Sequence, residues 1–141
     1  MPRARHLTTI AIAAAALTMS GCGGGSDEDR AVSAAEDFFA ALAEVDAESA
    51  CELNLGGDDH PLDDDHPDWD TCLTAVDTWA NSVAIPVDEE LPEVTFDSAE
   101  VDTSTDTASV DGDVPAMYGF PYSFDLRKVD GDWYIDGDWY R

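Results

Sequence analysis

The chain has 141 residues, with 32 Asp and Glu against six Lys and Arg and a formal charge of −26 at neutral pH. A surface this negative repels phosphate backbones and anionic headgroups, which excludes nucleic-acid and lipid-headgroup recognition. Four Trp, four Tyr and five Phe exclude a solvating disordered tail, and the length suits one domain with a core of its own.

Arg3 and Arg5 open the chain, Leu7 to Met19 is apolar and uncharged, and Ser20-Gly21-Cys22 follows directly. A short basic stretch before an apolar run too brief to span a bilayer is the pattern of an export signal. Small residues before a Cys at the end of that run resemble the bacterial lipobox, with Met19 where Leu is usual. The resemblance implies that residues 1–21 are cleaved and that the Cys22 sulfur receives diacylglycerol. Two acyl chains are enough for stable anchoring, so an extracytoplasmic domain held at the outer face of the cell membrane is expected. The membrane is then a partner through the lipid alone. Residues 22–29, Gly-rich and acidic, read as a flexible linker, and residues 30–141 as a single domain.

With Cys22 assigned to lipid, Cys51 and Cys72 are an even pair in an oxidising compartment, and a disulfide is expected between them. The chain has no Cys-x-x-Cys, which argues against a redox-active pair.

Arg30 to Val45 reads as a helix, with Val32, Ala35, Phe39 and Leu42 on one face. Asp46 is placed to cap a second helix through Ala47 to Leu55, ended by Gly56. Gly57 to His66 is an acidic, Pro-containing loop, and Pro67 suits a first helical turn. Trp69, Cys72, Leu73, Val76, Trp79, Ala80 and Val83 then form an amphipathic stripe. After Pro86 the period becomes two: Val94 and Phe96; Ala108, Val110, Gly112 and Val114; Tyr118, Phe120, Tyr122, Phe124 and Leu126. Thr103 to Asp106 predicts one turn. Asp130-Gly131, between Lys128-Val129 and Trp133-Tyr134-Ile135, predicts a tight hairpin. Helices followed by about four antiparallel strands give an α+β fold, with one sheet face on the helices.

Phe38-Phe39-x-x-Leu42, Asp46-Ala47, Ala50-Cys51 and the closing Asp130-Gly131-Asp132-Trp133-Tyr134-Ile135-Asp136 resemble small actinobacterial lipoproteins of the nuclear-transport-factor-two-like superfamily, also called SnoaL-like or cystatin-like. The resemblance covers roughly residues 30–137. It implies a curved sheet wrapped around helices into a cone, and it transfers no catalytic residue.

Three constellations bear on chemistry. The run Asp58 to Asp70, with His60 and His66, has carboxylates and imidazoles but neither calcium-loop nor zinc-ligand spacing, so no metal and no cofactor is expected. Tyr118, Tyr122 and Trp133 are the candidate wall of a ligand cavity, with core packing as the competing role for such aromatics. No Gly-x-Ser-x-Gly, phosphate loop or His-containing nucleophile motif is present, and no catalytic residue is assigned. The expected role is a non-enzymatic binding or accessory one in the cell envelope, with a protein or small-molecule partner of unknown identity. The alternative is a cavity enzyme of the isomerase or hydratase type.

Overall fold

The computed structural model describes residues 25–82, 94–112, 123–137 and 139–141. Among the described residues, three helices, α1 (Asp27–Ala43), α2 (Ala47–Glu52) and α3 (Trp69–Ser82), precede four strands. The strands are β1 (Phe96–Asp102), β2 (Thr107–Gly112), β3 (Ser123–Val129) and β4 (Asp132–Ile135), antiparallel and in the order β1-β2-β3-β4. The α+β architecture, helices followed by four antiparallel strands, is as the sequence pattern predicts, and the sheet they form is open. Among the described residues, no helix is long and apolar enough to cross a membrane.

Three helix boundaries differ from expectation, the slightest being the end of α1, at Ala43 instead of Val45. The first helix starts at Asp27, within the stretch read as flexible linker. Ser26 accepts the Asp29 N–H, and the Asp29 carboxylate accepts the Ser26 N–H in return, so two otherwise orphaned donors are satisfied. Three acidic residues in the first turn then face the positive end of the helix dipole. The second helix stops at Glu52, three residues before the expected end. Its Asp46 cap is as predicted, accepting the Ser49 N–H at 3.1 Å, but Asn54 and Leu55 leave the helix to pair with β4 and Pro61.

α1 lies across the inner face of the sheet, touching β1, β2 and β4. Its buried face runs through Ala31, Ala35, Phe38, Phe39 and Leu42, while Val32 is half-buried at its margin. The small Ala side chains let the helix approach the strands closely, and the two Phe rings fill the space beyond them. Phe39 meets Phe96 of β1 with ring centroids 5.9 Å apart. From the sheet, Ala99, Ala108, Val110, Leu126, Trp133 and Ile135 complete the core. The pairs Val101↔Ala108, Ala108↔Leu126 and Leu126↔Ile135 form one inward row. A register shift between Phe96 and Ser98 brings Phe96 into phase with Ala99, so both are buried three residues apart.

The predicted turns are present. Val129 pairs with Asp132 around Asp130 and Gly131, whose φ values of 53° and 98° are those of a two-residue type I′ hairpin. Asp102 pairs with Thr107 around the 103–106 turn, with Asp106 at φ 54°. α3 packs on α2, away from the sheet, which is why Cys72 and Val76 are buried while Trp69, Leu73 and Trp79 of the stripe are half-buried.

Candidate functional site

A dense arrangement of polar groups lies where the chain leaves α2. Asn54 is fully buried, and its amide Nδ2 donates to the Ala50 carbonyl at 2.7 Å, a back-bond that closes the helix. Its Oδ1 accepts the Trp139 indole N–H at 2.9 Å. The Leu55 N–H donates to Ile135 O at 3.0 Å and the Ile135 N–H to Leu53 O at 2.8 Å. The segment thereby covers the open edge of β4, where unpaired backbone groups would otherwise face solvent. The Tyr140 hydroxyl donates to the Leu55 carbonyl at 2.6 Å and locks the segment from the far side.

The acidic loop then turns back on itself. The Gly56 N–H donates to His60 O at 2.8 Å and the Leu62 N–H to Asn54 O at 2.9 Å, and Leu62 is buried beneath. His66 closes the loop. Its side chain is 7 % exposed, and its Nε2 lies 2.9 Å from Asp58 Oδ1. The backbone N–H of Asp68 donates to its Nδ1 at 3.0 Å. With Nδ1 accepting, the hydrogen of the neutral ring sits on Nε2 and is donated to Asp58. The ring lies against the Gly56 backbone so closely that a Cβ there would fall 2.2 Å from its Cε1. Glycine at position 56 is what admits the imidazole. The Asp68 carboxylate completes the closure by accepting the Gly57 N–H at 2.9 Å.

The electrostatics follow these contacts. The His66 hydrogen bond, with smaller help from the His60 backbone N–H and both imidazoles, holds the Asp58 carboxyl below its ordinary range against some desolvation. Asp27 is held low chiefly by its hydrogen bond from Lys128. The Lys128 ammonium sits 2.8 Å from Asp27 Oδ1 and 5.8 Å from the Trp133 ring centroid. Tyr134 is shifted upward by desolvation and by the charges of Asp132 and Asp130.

Cys51 and Cys72 form the predicted disulfide, staple α2 to α3 and are both fully buried. Cys22, Tyr118 and Tyr122 lie outside the described residues. Trp133, the third residue of the candidate cavity wall, is 5 % exposed and packs in the core under α1. Its indole Nε1 is buried with no hydrogen-bond partner among the described residues, and Asp27 feels that N–H as the weakest of its pKa-lowering influences. Among the described residues, no group of three His, Cys, Asp or Glu side chains is placed to hold a metal ion. Asn54, Gly56 and the paired use of His66 were not legible in the sequence. The one local signal was a Gly-Gly pair beside two His-Pro dipeptides, which marks a turn but names no partner.

Compared with protein-family models, curated proteins and solved structures, the chain matches none.

Proposed function

We propose that this protein is an exported lipoprotein, tethered to the outer face of the cell membrane by acylated Cys22, whose acidic α+β domain serves a binding or accessory role. The reading rests on one observation, the run from Arg3 and Arg5 through the apolar Leu7–Met19 to Ser20-Gly21-Cys22. The Cys51–Cys72 disulfide supports it, because such bonds persist in exported proteins and are rare in reducing compartments. Helices followed by an antiparallel sheet also suit the nuclear-transport-factor-two-like superfamily, and a cone-shaped sheet is the feature that membership requires. A binding role is favoured over catalysis by how the histidines are used. His66 spends both ring nitrogens holding a loop, and the His60 Nδ1 sits 2.9 Å from the Asp58 carbonyl.

The test is fractionation with mass analysis. The wild-type chain partitions into the detergent phase and carries an N-terminal mass equal to diacylglycerol on Cys22. Cys22→Ser leaves the membrane fraction or accumulates unprocessed. An unmodified wild-type N-terminus, or unchanged fractionation of the variant, refutes the anchor.

A further inference from the structure

Among the described residues, His66 is the one histidine whose ring nitrogens are both committed, and they are committed to opposite chemistries. Nε2 donates to the Asp58 carboxylate, while Nδ1 accepts the Asp68 backbone N–H. An imidazolium has two donors and no acceptor. A proton on Nδ1 would therefore face the Asp68 N–H head-on, and turning the ring over offers no alternative acceptor. The contact with Gly56 leaves the ring little room to slide away. Proton uptake at His66 and the His66–Asp68 hydrogen bond exclude one another.

Charged and polar groups surround the ring. Asp58 accepts from Nε2, and the His60 Nδ1 lies 3.7 Å from the same Asp58 oxygen. Asp68 presents its carboxylate to the Gly57 N–H, the Asp63 carbonyl accepts the His66 N–H, and the Arg141 guanidinium lies against Gly57. The Asp58 carboxylate, 2.9 Å from Nε2, offsets the charge gained by the ring, so protonation leaves no unpaired cation.

We infer that His66 is a proton-sensitive clip at the approach to α3: its neutral Nδ1 holds the Asp68 N–H, and a charged imidazole gives that N–H up while keeping its Nε2 contact with Asp58. The sign follows from the tautomer. The clip needs an unprotonated Nδ1, so it is closed while the ring is neutral and opens when Nδ1 takes up a proton. What opens is local. The Asp68 amide loses its acceptor, while the β4 pairing of Leu53 and Leu55 and the disulfide involve no titrating group. The inference does not depend on the anchor at Cys22.

The experiment is heteronuclear NMR on the full chain, isotope-labelled, with its disulfide oxidised and in detergent solution. At pH 8 His66 shows the Nε2–H tautomer. Between pH 8 and pH 5 the exchange protection of the Asp68 amide, corrected for intrinsic rate, falls at least tenfold as His66 titrates, while amides of β2 and β3 keep theirs. His60→Asn retains this pH response and His66→Asn abolishes it. The inference is overturned by an Nδ1–H tautomer at pH 8, by a His66 that does not titrate in this interval, or by Asp68 protection that ignores the titration. Loss of protection in β2 and β3 in parallel with Asp68 also overturns it, since that is global unfolding. Should His66→Asn fail to fold, the wild-type tautomer and exchange profile decide alone.

Discussion

Reducing the Cys51–Cys72 disulfide tests the fold at its most dependent joint. α2 is six residues long, well short of the roughly 12–15 residues at which an isolated helix becomes even marginal in water. It is held between α1 on one side and α3 on the other, and the bridge ties it to α3. The bridge closes a loop of 21 residues, for which the loss of unfolded-chain entropy is worth about 3 kcal/mol. A domain of this length unfolds with an entropy of about 0.2 kcal/mol/K, so reduction lowers Tm by roughly 10–15 °C. Calorimetric melting with and without a phosphine reductant measures the shift. Reduction keeps both buried sulfurs in place, whereas a Cys51→Ala/Cys72→Ala double variant adds a cavity and falls further. A drop in Tm under about 4 °C would show that packing of α2 on α1 suffices without the staple. Quantitative alkylation of both residues in the unreduced protein would show that no bridge exists.

Trp133→Phe deletes a buried, unpartnered indole N–H and is expected to stay within about 1 kcal/mol of the parent, whereas Trp139→Phe strands the buried Asn54 Oδ1 and costs about 1–3 kcal/mol. Chemical denaturation of the pair checks this, and the reverse order refutes the hydrogen-bond assignments. Gly56→Ala drives a methyl into the His66 ring and costs about 1–3 kcal/mol, with the His66 tautomer resonance lost in the same variant. The Asp27 carboxyl is lowered in the fold by Lys128, so its contribution is complete above the ordinary carboxylate range near pH 4 and is lost as pH falls below it. The acid limb of a stability–pH profile is then shallower in Asp27→Asn, and an unchanged limb rejects the pairing.

The parts of the fold that were legible in the sequence are those governed by neighbours within about four residues. The Asp46 cap, the apolar period of α1 and the Asp130-Gly131 hairpin each depend on local geometry, and each is where the pattern put it. The start of α1 escapes a reading by composition because Gly23 to Asp29 looks like a tether, while the Ser26–Asp29 reciprocal cap depends on two side chains alone. The end of α2 escapes for a different reason. Leu53 and Leu55 continue an apolar helical pattern, but their backbone groups are claimed by Ile135, some 80 residues away. The site fared likewise. The two cysteines are a chemical pair by type and number, so their bond could be anticipated. His66 gains its role from Gly56, Asp58 and Asp68 converging on it, and no spacing rule encodes that convergence.

The scarcity of cations gives the charge pattern a meaning beyond its sum. Arg30 reaches Asp27 and Asp132 and donates to the Gly131 carbonyl, tying α1 to the β3–β4 turn. Lys128 binds Asp27 and ties β3 to the start of the same helix. Arg127 joins Asp59 of the acidic loop, at 3.2 Å, to Asp136 beyond β4, at 2.8 Å. Arg141 stacks over the Tyr140 ring, beside Gly57. Exposed pairs of this kind are worth about 0–1 kcal/mol each, less than the disulfide, so they do not carry the stability. They carry selection. In a chain where nearly every charged side chain repels every other, the few cations decide which distant segments can meet without cost, as Lys128 and Asp27 do across 101 residues. With the described cations turned to that internal task, the outward rows of the sheet, such as Glu100↔Ser109↔Asp125, present carboxylates and hydroxyls. A partner approaching that face meets a field that favours positive charge.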